Sequence, residues 1–175
     1  MKQEALQNSV VGDAAFVSLI EAYEARVLRY VCRLVPDAED ARDLTQEVFL
    51  RAYRHKETLR SHGSIASWLF AIASNIVRDY HRRRRILSFV PFSSWREAGE
   101  AVSEEADGES ADLVGRVMAL LPVEMVQCLV LHEVEGMTSV EIAAILGMRP
   151  EAVRQRIVRA RKRFRELYAE LGDGM

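Results

Sequence analysis

The sequence predicts an all-α protein made of two small helical domains joined by an acidic, flexible linker. Apolar residues recur at helical spacing along most of the 175 residues. No alternating apolar pattern is long enough for a convincing strand. Between the helical stretches, residues 97–112 contain seven acidic residues and no Lys or Arg, a composition typical of a linker between domains.

Composition sets the class of molecule without identifying a ligand. Hydrophobic residues make up 49% of the chain, which is enough to build cores and argues against wholesale disorder. The formal net charge is only -2, but acidic and basic residues lie in separate blocks. The first residues lack the layout of a signal peptide, and no apolar run approaches the length of a membrane span. We therefore expect a cytoplasmic protein without membrane insertion.

Neither the cysteines nor the histidines indicate a cofactor. Cys32 and Cys128 fall within apolar helical patterns and belong to no CxxC pair, which favours buried, reduced thiols. Cys128 and His132 are four residues apart, but two further ligands at metal-site spacing are missing. The sequence also lacks a Gly-rich phosphate loop and the HExxH and GxSxG motifs. We expect no metal, no cofactor and no catalytic residues.

The first helical domain is predicted over residues 15–86, after an N-terminal tail of residues 1–14 without strong periodicity. Its first helix carries apolar residues at helical spacing from Phe16 to Leu34. Pro36 then breaks the helix, since proline cannot supply the backbone N–H that a helix interior needs.

Two more helices follow in the same domain. One begins around Ala38 with acidic residues in its first turn, where they suit the helix dipole. Residues 61–64, which contain a glycine, predict a loop. The next helix runs from about Ile65 into Arg82.

Two polar faces of this domain are candidates for binding. The face on the second helix has mixed charge and consists of Asp40, Asp43, Gln46, Glu47, Arg51 and Arg54. Composition alone favours an ordinary solvated face there. On the third helix, Trp68 and Tyr80 belong to an apolar stripe, and the residues off it are Asn75, Arg78, Asp79, Arg82 and Arg83. Four consecutive arginines at residues 82–85 exceed what a helix dipole requires, which favours contact with phosphates.

A second domain is predicted over residues 113–172, with residues 87–112 as the linker. Within it, residues 121–167 have the pattern of a helix-turn-helix unit. An apolar helix ends near Gly136, and a long helix begins at Pro150 after a turn at Gly147. The short helix between them is predicted to bury Val140, Ile142, Ala143, Ile145 and Leu146.

The long C-terminal helix is strongly basic. Its cations are Arg154, Arg156, Arg159, Arg161, Lys162, Arg163 and Arg165. Positive charge at that density suits DNA phosphates, and Arg or Gln in the first turns can make bidentate contacts to base edges. The alternative is a solvated helix whose arginines pair with Glu151, Glu166 and Glu170.

Three segments in this order resemble bacterial RNA polymerase sigma factors of the extracytoplasmic-function (ECF) type. Residues 37–54 (DAEDARDLTQEVFLRAYR) are similar to that family's core-polymerase-binding segment. Residues 64–85 (SIASWLFAIASNIVRDYHRRRR) are similar to its promoter-melting and −10-recognition segment. Residues 121–167 are similar to its −35-recognition domain. The resemblance covers most of the chain and implies sigma domain two and sigma domain four on either side of the linker.

The resemblance also implies partners and site residues. It implies binding to core RNA polymerase through Asp40, Asp43, Gln46 and Glu47. It implies binding to melted −10 DNA through Asn75, Arg78, Asp79, Arg82 and Arg83, with the loop from about Leu59 to Ser67 capturing a flipped base. It implies reading of the −35 duplex through Arg149, Arg154, Gln155, Arg156 and Arg159. An anti-sigma factor is the further partner that it implies.

Two departures from the family pattern and two competing interpretations accompany this assignment. Arg149 stands where the family often has a serine N-cap, and the linker is unusually apolar between Leu87 and Trp95.

The chain could instead be a stand-alone helix-turn-helix regulator, which leaves the arginines at residues 82–85 unexplained. It could also be a helical adaptor that binds proteins and lacks promoter activity. An enzyme is the least favoured class, for want of any catalytic constellation.

Overall fold

The computed structural model describes residues 13–61, 64–87 and 108–172, and the side chains of residues 14–59, 64–84 and 113–172. All regular structure in these ranges is helical, as the sequence predicts. The helices of the first domain are α1 (Asp13–Cys32), α2 (Ala38–Arg54), a short 3₁₀ helix (Lys56–Ser61) and α3 (Ile65–Leu87). Those of the second are α4 (Gly108–Ala119), α5 (Val123–Leu129) with a π-helical continuation (Val130–Val134), α6 (Ser139–Leu146) and α7 (Pro150–Gly172).

The first domain packs α1, α2 and α3 against one another. Helix α2 begins at Ala38 because the Asp37 carboxylate accepts hydrogen bonds from the backbone N–H groups of Glu39 and Asp40, at 2.9 and 2.8 Å. Trp68 is buried in this core, as predicted, and its indole N–H donates to the Thr58 hydroxyl at 3.1 Å.

The second domain contains the predicted helix-turn-helix. Thr138 and Glu141 form a reciprocal capping box at the start of α6. Gly147 ends α6 with φ of 65°, a left-handed conformation that favours glycine. Helix α7 then begins at Pro150, where the missing N–H costs no hydrogen bond.

Buried polar contacts join the two domains, in addition to packing between α3 and α6. The amide of Gln127 on α5 donates to the Ser74 carbonyl in the middle of α3 at 3.2 Å, and Gln127 is only 1% exposed. The Ser74 hydroxyl lies 2.6 Å from the phenol oxygen of Tyr30 on α1. At the edge of the contact, Arg26 and Glu135 form an ion pair at 2.7 Å.

Val140 corrects one expectation about α6. It was predicted to lie on the buried face, but it is 63% exposed, while Ile142, Ala143, Ile145 and Leu146 are buried as predicted. Two residues correspond to a rotation of about 200° around a helix, so Val140 lies almost opposite Ile142. Because almost every residue of α6 is apolar, periodicity could not select its inner face.

Several helix boundaries also differ from the predicted ones. Helix α4 begins at Gly108, five residues before the apolar repeat restarts at Leu113, and α3 continues past Arg82 to Leu87. Ser61, predicted to open a loop, is the last residue of the 3₁₀ helix. Apolar periodicity shows where a helix is buried and not where its polar turns start. The predicted tail and the apolar linker segment lie outside the described residues except at their edges.

Cys128 is buried and Cys32 is half-buried, and both are free thiols. Burial raises the pKa of each thiol, which keeps it protonated. The His132 imidazole Nδ1 lies 2.9 Å from the Met137 carbonyl oxygen. Within the described ranges, no cluster of three or more His, Cys, Asp or Glu side chains could hold a metal ion. No described helix is long and apolar enough to cross a membrane.

We expect the ion pair between Arg26 and Glu135 to stabilise the contact between the domains. The Glu135 side chain is 5% exposed, and the Arg26 side chain is 37% exposed. Arg26→Leu should lower the free energy of unfolding by about 2–3 kcal/mol, because it leaves a buried carboxylate without its cation. Urea denaturation followed by circular dichroism measures the change. Arg29→Leu, an exposed residue one turn along α1, is the control, and an equal loss in both variants would contradict the role of the pair.

Candidate functional site

The exposed part of α2 forms the first candidate surface. Asp43 and Gln46 are exposed, and Glu47 is half-buried with its carboxylate 2.6 Å from Arg51 Nε. These three residues lie within one and a half turns, so they can be contacted together. We call Asp43, Gln46 and Glu47 the α2 surface.

Asp40 has a different role in the fold from its three predicted companions. The Tyr80 hydroxyl donates to Asp40 Oδ2 at 2.7 Å, and Arg84 Nη1 lies 3.1 Å from the same oxygen. Burial, followed by the hydrogen bond to Asp40, raises the pKa of Tyr80 to about 12. Asp40 therefore joins α2 to α3. The sequence contains no local signal for this contact, since Asp40 and Tyr80 are forty residues apart.

The exposed part of α3 forms the second candidate surface. Asn75 and Arg78 are exposed, and an Arg78 Nη1 donates to Asn75 Oδ1 at 3.2 Å. Asp79 pairs with Arg82 at 3.1 Å, while Arg83 is exposed. We call these five residues the α3 surface. They lie off the buried stripe of α3, as predicted.

The α2 and α3 surfaces adjoin each other. A cleft of about 170 Å³ lies between the two helices and is lined by Glu47 and Arg51 from α2 and by Asp79, Tyr80 and Arg83 from α3. One predicted polymerase-binding residue and two predicted −10 residues thus share a cleft. A partner bound on α2 would contact the side chains next to the α3 surface.

The segment predicted to capture a base is held close to the core at both ends. Leu59 is 1% exposed, and the Ser64 hydroxyl accepts a hydrogen bond from the Ser67 backbone N–H at 3.0 Å, at the start of α3. Residues 62 and 63 lie outside the described residues. Because Trp68 is buried, it belongs to the support of this segment and is not available to stack on a base.

The first turns of α7, together with the turn before it, form the third candidate surface. Arg149, Arg154, Gln155 and Arg159 are exposed, and we call them the α7 surface. Arg154 pairs with Glu151 at 2.7 Å, and Arg159 donates to the Gln155 side-chain oxygen at 3.3 Å. Arg149 and Arg159 make no ion pair within the part of the chain that the structure describes.

Arg156, predicted together with these residues, is oriented differently. It is half-buried, and its guanidinium donates to the Met148 sulfur at 3.2 Å. Its positive charge also lies next to the Cys128 thiol. Arg156 therefore fixes α7 against the rest of the domain, and a base contact would require it to leave these partners.

Ion pairing divides the basic residues of α7 into two groups. In the later turns, Arg161 pairs with Glu133 at 2.5 Å, and Arg163 pairs with Glu166 at 3.3 Å. The alternative expectation of pairing with the helix's own carboxylates is met by Arg163 with Glu166 and by Arg154 with Glu151, whereas Glu133 belongs to the π-helical segment Val130–Val134. In the first turns only Arg154 has such a partner among the described residues. The early half of α7 has the cations that can meet phosphates.

Comparison with known proteins identifies the family. Residues 19–86 match the model of Sigma-70 region 2, and residues 111–164 match Sigma-70, region 4. The ECF RNA polymerase sigma-E factor of Escherichia coli K12 is 33% identical over 165 residues, covering 85% of this chain and 83% of that protein. This chain belongs to the ECF RNA polymerase sigma factors.

Other relatives agree with the assignment of this chain to the sigma factor family. The ECF sigma factor SigE of Mycolicibacterium smegmatis is 34% identical over 157 residues, which cover 87% of this chain and 61% of that protein. The fold is shared with the sigma factor RpoE from Bartonella quintana, solved with the anti-sigma factor NepR, at a TM-score of 0.72, 19% identity and coverage of 87% and 95%. It is also shared with CnrH, solved with the cytosolic domain of CnrY, at a TM-score of 0.67, 22% identity and coverage of 95% and 94%.

The two matched regions contain all three surfaces of the sigma factor. Region 2 spans α2 and α3, and region 4 spans α4 to most of α7. The surfaces are polar or cationic. Carboxylates and an amide on α2, and guanidinium groups on α3 and α7, can form charge-assisted hydrogen bonds with a partner.

Proposed function

We propose that this ECF sigma factor holds core RNA polymerase through the α2 surface, binds melted −10 DNA through the α3 surface and reads the −35 duplex through the α7 surface. The observation that carries the proposal is the order and exposure of these surfaces within the two matched sigma regions. Each surface is solvent-exposed and presents groups suited to its ligand. The function is binding, without making or breaking a covalent bond.

Helix α7 supports a duplex-reading role. Its N-terminal end carries the exposed Arg154 and Gln155, and helices of this motif enter the major groove with their first turns. Arg suits the O6 and N7 atoms of guanine, and Gln suits the N6 and N7 atoms of adenine. Arg149, which lies in the turn before the helix, and Arg159 would contact phosphates or bases on either side.

The α3 surface supports binding of unpaired DNA. Asn75 offers an amide that can pair with a base edge, whereas Arg82 and Arg83 offer charge to phosphates. Capturing a base from the duplex costs a few kcal/mol of unstacking, which contacts in the pocket must offset. Residues 59–67 lie directly before α3 and are the segment we propose for this pocket.

An anti-sigma factor is part of the proposal. The solved relative from Bartonella quintana is bound to the anti-sigma factor NepR. Because the fold is shared, this chain offers a comparable scaffold for a regulator of that kind. We propose that the chain is held inactive by such a protein and released from it before it binds polymerase.

Reconstituted transcription tests the proposal as a whole. Core polymerase with the purified chain should produce transcripts that start at defined positions, and core polymerase alone should not. The template is a promoter mapped by sequencing transcript 5′ ends after overexpression. Promoter binding by the chain without core polymerase, and no dependence of initiation on it, would favour a stand-alone helix-turn-helix regulator. Core binding without initiation would favour an adaptor.

Gln46→Ala/Glu47→Ala should weaken assembly with core polymerase. We expect a loss of roughly tenfold in affinity, about 1.4 kcal/mol, because two polar side chains of the α2 surface are removed. Competition for core polymerase against a labelled sigma factor measures it. Glu21→Ala/Glu24→Ala, which changes two exposed carboxylates on α1, should compete like the unaltered chain. Equal competition by both double variants would exclude the α2 surface.

Arg82→Gln/Arg83→Gln should weaken promoter binding by the holoenzyme on every sequence. The slope of log affinity against log salt should decrease by roughly one for each phosphate that an arginine no longer neutralises. Filter binding over a range of salt concentrations measures the slope. Arg29→Gln/Arg42→Gln removes the same charge elsewhere in the first domain and should keep the original slope. If the slope of the α3 variant is also unchanged, these arginines only cap their helix.

Alanine substitutions on the α7 surface should relax sequence preference at defined −35 positions. We expect a loss of about 1–3 kcal/mol of discrimination for at least one variant among Arg149, Arg154, Gln155 and Arg159. Transcription from a library of randomised −35 elements measures the preference. Arg163→Ala, on a later turn, is the control because Arg163 pairs with Glu166. Four variants with unaltered selectivity would place base reading elsewhere.

A further inference from the structure

An apolar groove lies in the second domain, apart from the α7 surface. Its volume is about 670 Å³, and its apolar lining consists of Val114, Met118, Leu129, Val130, Val134 and Phe164. Pockets of roughly 300–1,000 Å³ enclose drug-sized ligands, so the groove can hold two aromatic side chains of a peptide. Val114 and Val134 are 40% and 50% exposed, and burying them would be favourable.

The rim of the groove is cationic. Arg33 from α1 and Arg161 and Arg165 from α7 line its edge. Arg161 is neutralised by Glu133. Arg33 and Arg165 make no salt bridge within the described residues, although the Glu135 carboxylate is near enough to Arg33 to interact with it electrostatically. Each of the two arginines donates to a backbone carbonyl at 3.3 Å. An apolar segment with flanking acidic residues would be complementary to both the apolar lining and the cationic rim of the groove.

The chain contains a segment with this chemistry. Residues 89–95 (FVPFSSW) contain two phenylalanines, a valine and a tryptophan, and they lie outside the described residues. Arg96 comes next, and residues 97–107 after it contain five carboxylates and no cation. None of the three candidate surfaces uses either segment.

One end of the linker adjoins a helix that lines the groove, and the other end leaves a helix that contacts the residue after Arg33. At one end, α4 starts at Gly108 and its Val114 and Met118 line the groove. At the other end, His81 on α3 lies 2.7 Å from the carbonyl of Leu34, the neighbour of Arg33. From His81 to the end of α3 at Leu87 the helix rises only about 9 Å.

The length of the linker permits docking. Trp95 precedes Gly108 by thirteen residues, and an extended chain of that length reaches about 43 Å. A tether of this kind gives an effective concentration on the order of millimolar, so a weak apolar contact is populated.

We infer that residues 89–95 dock in the apolar groove of the free chain, with the acidic residues after them facing Arg33 and Arg165. The linker is then an internal ligand of the second domain as well as a spacer. The inference does not rest on the proposed function, because it concerns the free chain alone.

Trp95 provides a direct test. The only other tryptophan is Trp68, so Trp68→Phe leaves Trp95 as the single indole reporter. In the folded variant, docking should give blue-shifted emission and acrylamide quenching several-fold weaker than that of N-acetyltryptophanamide. Circular dichroism checks the fold. Emission and quenching equal to those of the free amide would overturn the inference.

A groove variant and a matched control locate the indole. Val134→Asp places a charge in the groove and should raise quenching at least twofold. Val140→Asp makes the same change at an exposed valine of the same domain that does not line the groove. It should leave quenching unaltered. An equal response of both variants, or no response of either, would overturn the inference because Trp95 would then be buried elsewhere.

The rim can be tested in the same background. Arg165→Glu should raise quenching, because it repels the acidic residues of the linker. Lys162→Glu reverses a charge on the same helix at a residue whose side chain is 77% exposed and outside the groove, and it should have a smaller effect. If the two charge reversals act equally, the rim does not select the linker.

Two further measurements address docking into a second copy of the chain and the case in which Trp68→Phe does not fold. Quenching that weakens over a roughly hundredfold rise in protein concentration would show docking into a second copy, since a tethered ligand is independent of concentration. This would overturn the intramolecular assignment. If Trp68→Phe does not fold, 5-fluorotryptophan in the unaltered chain gives two ¹⁹F resonances, and Trp95→Phe identifies one. Val134→Asp should shift that resonance towards the solvent-exposed position, and no shift would contradict docking.

Discussion

Ser74 lies halfway along α3, where its hydroxyl is 2.6 Å from the Tyr30 phenol oxygen and its carbonyl accepts a hydrogen bond from Gln127 at 3.2 Å. One residue thus joins α1, α3 and α5 through buried polar atoms. Such atoms are costly to leave unpaired, so the contact fixes how α3 is rotated. Burial also raises the pKa of Tyr30 far above its ordinary value, so that the phenol stays protonated. The next residue, Asn75, is turned by about 100° and is exposed. The contact that buries Ser74 therefore orients the α3 surface, which includes the next residue, Asn75.

Ion pairing inside the molecule decides which arginines keep a charge that no carboxylate neutralises. The formal net charge of −2 gives the whole chain no attraction for phosphate. In the later turns of α7, Arg161 and Arg163 are neutralised by Glu133 and Glu166, whereas Arg165 makes no salt bridge within the described residues. Arg149 and Arg159 have no such partner within the described residues, and Arg83 is likewise exposed. Local excess of cations, rather than total charge, is what a polyanion meets at short range. The acidic block in the linker contains no Lys or Arg, so much of the negative charge is separate from these arginines in the sequence.

The sequence predicted those features that have local signals. The start of α2 near Ala38 was predicted from the break at Pro36 and the acidic first turn, and the turn before α7 was predicted from Gly147 and Pro150. Val140 was misplaced because an almost wholly apolar helix has no periodic contrast. The contact between Gln127 and Ser74 spans 53 residues and has no local signature, and the same holds for Asp40 with Tyr80. Helix periodicity predicts the exposure of most candidate side chains, although Asp40 and Arg156 are half-buried. Charge density indicated phosphate binding, whereas the assignment of surfaces to polymerase and to the two promoter elements was available only from the family resemblance.

The packed arrangement of the two domains is incompatible with simultaneous reading of both promoter elements. Elements at −35 and −10 are separated by roughly 25 base pairs, which is about 85 Å of duplex at 3.4 Å per pair. A compact chain of this length has a radius of gyration of about 16 Å. The domains must therefore separate on DNA, and the twenty residues between Leu87 and Gly108 extend to at most about 70 Å. The polar groups that join the domains can be satisfied by water once the domains are apart, but separation also exposes the packing between α3 and α6 to water. A docked part of the linker cannot contribute to the distance that the linker spans. Its release must therefore accompany the separation of the domains.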